Sequence, residues 1–190
     1  AALLTGAWTE GPLDRLYGVR IVVAVGALLL ARRALHAATL SWSWPAALLG
    51  LAVGVGWVAV AGGDDRPLGD ALRQLSPSGR TAWLAVRITG SVLVVPLVEE
   101  LAFRGFLLPW LVSPDFESVP ARSWNWPAVL VSSLAFGAIH QHWVLGALAG
   151  LIFAAVKLRR GRLSDAVLAH AVANAVVAAA ALSGRWSLWG

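Results

Sequence analysis

The stretch Val94-Val95-Pro96-Leu97-Val98-Glu99-Glu100-Leu101-Ala102-Phe103-Arg104-Gly105 decides how this chain is read. From Ser91 to Leu111 the ionisable side chains are Glu99, Glu100 and Arg104, and everything around them is apolar or small. An apolar run of that length is a candidate membrane span. A carboxylate left in hydrocarbon without a partner costs several kcal/mol, so an intramembrane acid marks function. Two further apolar segments carry one histidine each, His140 and His170. Carboxylates and imidazoles at membrane depth are the ingredients of acid–base chemistry or of ion handling.

Composition agrees with a membrane setting. Of 190 residues, 58% are hydrophobic and 13% charged, with a mean hydropathy of +0.72. A soluble domain carries about 25% charged residues. With no cysteine, disulfides and thiolate metal sites are excluded. Methionine is also absent, even at position 1, which marks the chain as processed, trimmed or a fragment. The net charge of +5 sits in short clusters flanking apolar segments, where it reads as a topology signal rather than a nucleic-acid surface.

Six apolar segments follow one another: Leu16 to Ala34, Trp44 to Gly62, Thr81 to Val112, Trp126 to His140, Trp143 to Leu158 and Leu163 to Leu182. The expectation is an all-α polytopic membrane bundle of about six transmembrane helices around a polar intramembrane cavity, forming a single domain over residues 1–190. The third segment is longer than a bilayer core of roughly 30 Å requires, and Pro96 is its expected kink. The polar stretch Asp64 to Arg80 reads as a loop able to carry a short interfacial helix. Arg32-Arg33 and Lys157-Leu158-Arg159-Arg160-Gly161-Arg162 are the strongest basic clusters, and six alternating spans place both on the cytoplasmic side, with both termini outside.

On a helix Glu100 and Arg104 are four residues apart and share a face, in the order that favours an ion pair. Glu99 points about 100° away. One acid is thereby neutralised and the other left free, and a desolvated free carboxylate can serve as a general base. Taken alone, Glu100–Arg104 also reads as a structural pair. His140 closes the Phe136-Gly137-Ala138-Ile139-His140 run and alone reads as a helix-end residue, as does His142 in the turn before Trp143. His170 and Asn174 share a face of a helix rich in alanine, where they read equally as interhelical hydrogen-bonding glue. Their coincidence favours a site, with Glu99, His140, His170 and Asn174 converging on one polar cavity.

Glu-Glu-x-x-x-Arg, Phe-x-x-x-His and His-x-x-x-Asn, in that order on successive membrane helices, resemble the CAAX protease and bacteriocin-processing family, also called the Abi family. Its eukaryotic members are the type II CAAX prenyl endopeptidases. The likeness covers roughly Leu84 to Ala181, the expected protease core. It extends to the context Phe103-Arg104-Gly105 and Arg160-Gly161-Arg162-Leu163. Pro114-Asp115-Phe116-Glu117-Ser118-Val119 is similar to the bacterial branch that accompanies exosortase-type protein sorting. The resemblance implies a glutamate-dependent intramembrane endopeptidase of the inner membrane that needs no metal or other cofactor. Glu99 would activate water, His140 would position that water or shuttle its proton, and His170 and Asn174 would stabilise the oxyanion. Glu100 and Arg104 would orient the site. The implied partners are a peptide or protein substrate, offering a C-terminal tail, leader or sorting segment, and the lipid bilayer.

Three other readings compete. A zinc protease would use glutamate and histidine ligands, but no His-Glu-x-x-His is present. A proton-coupled transporter or channel also places acids and histidines in a membrane, but no internal repeat is evident. A non-catalytic immunity or scaffold protein would leave the three ordered motifs without a use.

Overall fold

The computed structural model describes residues 12–30 and 41–189. The described residues form seven α-helices and no strand: α1 Tyr17–Leu30, α2 Trp44–Val60, α3 Arg66–Gln74, α4 Pro77–Trp110, α5 Trp126–Ala138, α6 Trp143–Arg160 and α7 Leu163–Leu182. Short 3-10 turns follow at Phe116–Ser118 and Trp186–Trp189. Six of the helices match the apolar segments, with α7 bounded as the sequence suggests and α5 ending two residues before His140. The seventh, α3, falls in the polar stretch and buries Leu68 and Leu72 on one face. Arg32-Arg33 and the expected end of the first segment lie outside the described residues.

Helix starts are set locally. Pro45, Pro67, Pro77 and Pro127 stand in first turns, where a missing N–H costs nothing. Asn125 caps α5 by accepting from the Ala128 amide at 3.0 Å. Gly161 ends α6 at φ 69, a left-handed position suited to glycine, after a last turn carrying Lys157, Arg159 and Arg160.

Polarity is inverted relative to a soluble domain. Val22, Leu30, Trp44, Leu48, Val55, Leu93, Trp126, Leu134 and Trp143 are exposed, while Glu100, Arg104, Ser132, Ser133, Asp165 and His170 are buried. An outside this apolar fits lipid, not water. Trp44, Trp126 and Trp143 begin helices, as tryptophans at a membrane interface do. α4, with 34 residues, and α7, with 20, are long and apolar enough to cross a bilayer. α5 has 13 residues and reaches about 20 Å.

α7 is the hub. Its Ala166, Ala169 and Ala173 are buried, and α2 presses against that stripe through Gly50 and Gly54. A Cβ on Gly54 would come within 2.8 Å of the Ala173 carbonyl, so α2 packs at this distance only without one. At the α6–α7 turn Arg160 donates to Ser43 Oγ at 2.9 Å and lies 3.4 Å from buried Asp165, tying three helices together.

Candidate active site

α4 carries the acids in an irregular stretch. Val95–Glu100 is α-helical, but Gly90–Val94 before it and Leu101–Leu107 after it are π-helical. Proline explains the first of these. In the π register, the carbonyl of Ser91 would accept from the amide of residue 96. Residue 96 is proline and has no N–H. Asn174 of α7 supplies the donor instead, its Nδ2 lying 2.7 Å from that carbonyl. The disruption expected at Pro96 is therefore taken up within a continuous α4, by a change of register and a bond to another helix.

Glu100 and Arg104 face the interior and are 0% exposed. Arg104 Nη1 donates to Glu100 Oε1 at 3.1 Å, and Nη2 donates to the Gly150 carbonyl of α6 at 2.9 Å. Its guanidinium also lies 4.2 Å from the Phe136 ring centroid, within cation–π range. Glu100 Oε1 accepts a second bond, from His170 Nδ1 at 3.0 Å. With Nδ1 so engaged, Nε2 is the nitrogen His170 has free. It faces Glu99, 3.9 Å from Oε2. The His170 ring stacks on Phe153 at 4.8 Å and meets Phe136 edge-on at 5.6 Å, which fixes its plane.

Glu99 turns the other way, as a residue one step along a helix must. Its side chain is 20% exposed, and its buried Oε2 has no hydrogen-bond partner. His140 lies past the end of α5. Its Nδ1 bonds the Phe136 carbonyl at 2.8 Å, so it too presents Nε2, and its ring packs on Phe136 and Trp57. His142 is exposed at the start of α6.

His140, His170 and Asn174 line one cavity of about 220 Å³, together with Trp57, Arg87 and Ser91. Glu99 lines a second, of about 360 Å³, between α1 and α4. The single polar cavity expected from sequence is thus two cavities that meet at the Glu99–His170 contact. The cause is the rotation between adjacent helical residues: with Glu100 turned to α7, Glu99 is turned to α1. A second difference concerns donors. One Asn174 N–H is held by Ser91, and His170 Nδ1 is held by Glu100, so Asn174 keeps its second N–H and its Oδ1, and His170 keeps Nε2. Sequence reasoning did not pick out Ser91, Gly150, Trp57 or Phe153. Pro96 was the available signal for Ser91; the others sit in apolar or glycine-bearing helices that carry no mark.

Among the described residues, no three His, Asp or Glu side chains are grouped so as to hold a metal ion. What the arrangement offers is an unpartnered carboxylate, an imidazole oriented by a second carboxylate, and an amide held by a backbone carbonyl. Groups of these kinds can together activate water and stabilise an oxyanion. The profile of the Type II CAAX prenyl endopeptidase Rce1-like family matches residues 81–176, which include all of these side chains. The chain belongs to that family, and with it to the membrane-embedded endopeptidases of the CAAX type. No curated protein and no solved structure matches the chain.

Proposed function

We propose that the protein is a multi-pass endopeptidase of the inner membrane. On this reading it hydrolyses a peptide bond of a membrane-associated substrate with water activated by Glu99, and uses no metal. The six apolar helices sit as one domain in the bilayer, which thins locally around the short α5, with the Lys157–Arg162 cluster on the cytoplasmic side. The observation that carries this reading is Glu99 Oε2, which faces His170 Nε2 at 3.9 Å without a hydrogen bond, beside the Glu100–Arg104 ion pair.

Glu99 takes a proton from water as the water oxygen bonds to the scissile carbonyl carbon. The remaining Asn174 N–H and a protonated His170 Nε2 face the oxyanion, each pre-positioned by a partner on α4. As the C–N bond breaks, the proton held on Glu99 passes to the leaving nitrogen, giving a carboxylic acid and an amine. His140 Nε2 holds or relays a proton at the far wall of the smaller cavity. Two carboxylates stand against one guanidinium here, and one proton shared between Glu99 and His170 Nε2 brings the group to neutrality. Glu100 and Arg104 position His170 without touching the substrate.

The test is a comparison of membrane proteomes from cells carrying the wild type or Glu99→Gln. Termini present only with the wild type are expected. An identical set of termini in the two strains would sink the proposal.

A further inference from the structure

The smaller cavity is closed on one side by the chain itself. Leu188 and Trp189, from the turn Trp186–Trp189 that follows α7, stand in its wall beside Arg87. The turn is pinned at three points. Arg185, just before it, donates to the Val58 and Ala61 carbonyls at the end of α2, at 2.7 and 3.3 Å. The Ser187 amide donates to Asp65 Oδ1 at 2.7 Å. Arg87 Nη2 donates to the Trp189 carbonyl. Trp189 also packs with Leu68 and Leu72 of α3. Asp65, Arg185 and the turn lie outside the residues that match the family.

This closure conflicts with the size of the cavity. An endopeptidase holds chain on both sides of the bond it cuts, and about 220 Å³ is less than the roughly 300–1,000 Å³ of a ligand pocket. The turn is the wall best able to move. It joins α7 through Gly184, at φ 110, with nothing within 4 Å of the place a Cβ would take. A glycine so placed can change its backbone angles without collision. The turn follows the end of α7, at the level where a spanning helix leaves the bilayer. On opening, Trp186 and Trp189 would pass to the membrane interface, which suits indole rings. Arg87 would stay in place against the Tyr17 ring, 4.4 Å from its guanidinium.

We propose that the Trp186–Trp189 turn is a lid that swings out about Gly184 to admit the substrate, and that Arg87 then donates to a backbone carbonyl of the substrate instead of that of Trp189. The inference rests on the hydrolytic reading of Glu99. In the closed state the Trp189 carbonyl occupies the place of the substrate carbonyl, so the buried guanidinium has an acceptor in both states. The Nε of Arg87, buried without a partner among the described residues, is a second donor to the incoming chain.

The experiment locks the lid. A Cβ on Gly63 would stand 3.4 Å from Ser187 Cβ, at the short edge of the roughly 3.5–4.5 Å that a disulfide spans. The chain has no cysteine of its own to interfere. The Gly63→Cys, Ser187→Cys variant is purified in detergent, oxidised or reduced, and given a proteome-derived peptide library whose cuts are read by mass spectrometry. Turnover should be lost in the bridged form and return on reduction, with both single variants indifferent to oxidant. Full turnover in the bridged form overturns the lid and leaves the turn a static seal. Asp65→Ala, which removes one pin, should lower KM for the best-cut library peptide about tenfold at unchanged kcat, since a larger share of molecules stands open. If the bridge does not form, an unchanged KM in Asp65→Ala overturns the lid equally. Failure of the hydrolytic reading looks different: Glu99→Gln would cut as the wild type does, or the wild type would cut nothing, and the lid would fall with it.

Discussion

Glu99 and Glu100 are neighbours in sequence and opposites in surroundings. Glu100 is sealed from solvent and accepts through the same oxygen from Arg104 and from His170, whose ring packs on Phe136 and Phe153. Glu99 opens on a cavity and is paired with no arginine among the described residues, although the Oε2 of each acid is buried without a donor. One residue type thus serves two physical ends within a single helical step. On the inner face of α4 a charge is neutralised and becomes part of the framework. On the outer face the carboxylate stands against His170 Nε2 at 3.9 Å instead of a guanidinium. On the proposed reading the inner face builds the site, and the outer face meets the substrate.

The sharpest way to break this contrast is Glu99→Gln. It keeps the shape and removes the base, so turnover should fall about 10²–10⁴-fold while the unfolding midpoint in mild detergent stays at the wild-type value. Glu100→Ala should do the reverse in emphasis. Arg104 would be left buried without its carboxylate, and stability should drop by about 3–5 kcal/mol. A Glu100→Gln, Arg104→Met double variant should recover most of that loss, because both charges leave together. Denaturant unfolding of the purified proteins measures both. If Glu99→Gln proves the less stable and Glu100→Ala the less active, the two faces have been assigned the wrong way round.

Asn174 offers a finer probe, since on the proposed reading it serves both purposes. Asn174→Ala should lower turnover about 10²-fold through the lost oxyanion donor. It should also cost about 1–3 kcal/mol, because the Ser91 carbonyl loses its partner. Adding Pro96→Ala returns a backbone N–H to that carbonyl, so the double variant should regain about 1 kcal/mol without regaining turnover. Recovery of both, measured on the same samples, would show that Asn174 acts only as a brace. The smallest expected effect is that of chelation: dialysis against a strong chelator should leave turnover unchanged. A loss reversed by Zn²⁺ would replace the glutamate mechanism with a metal-dependent one.

Much of this was legible in the sequence. Apolar runs between tryptophans and basic clusters place the helices, and α7 needs no more than its alanine stripe and flanking residues to be bounded. The pairing of Glu100 with Arg104 follows from four-residue spacing. The environment of Glu99 does not, because it depends on where α1 docks, and that is decided by the close contact at Gly90, far away in sequence from the partner it admits. The bond between Asn174 and Ser91 was half written: Pro96 announces that a carbonyl lacks its donor, but only the packed bundle says which side chain supplies one. The π turns themselves leave no trace in hydrophobic periodicity, since apolar residues fill every side of that stretch.

Those turns carry a consequence for how the chain tolerates changes of length. A π turn accommodates one residue more than the α-helix around it. Deleting a single residue within Gly90–Val94 would let the turn relax to α and leave Glu99 and Glu100 facing as they do now. Inserting one there finds the slack already used and rotates everything after it by about 100°. Glu99 would then stand roughly where Glu100 stands now, and Val98 where Glu99 stands. Every residue of the three motifs would still be present, at unchanged spacing within each motif, yet the acids would face the wrong neighbours. This segment of α4 tolerates the loss of a residue but not the gain of one.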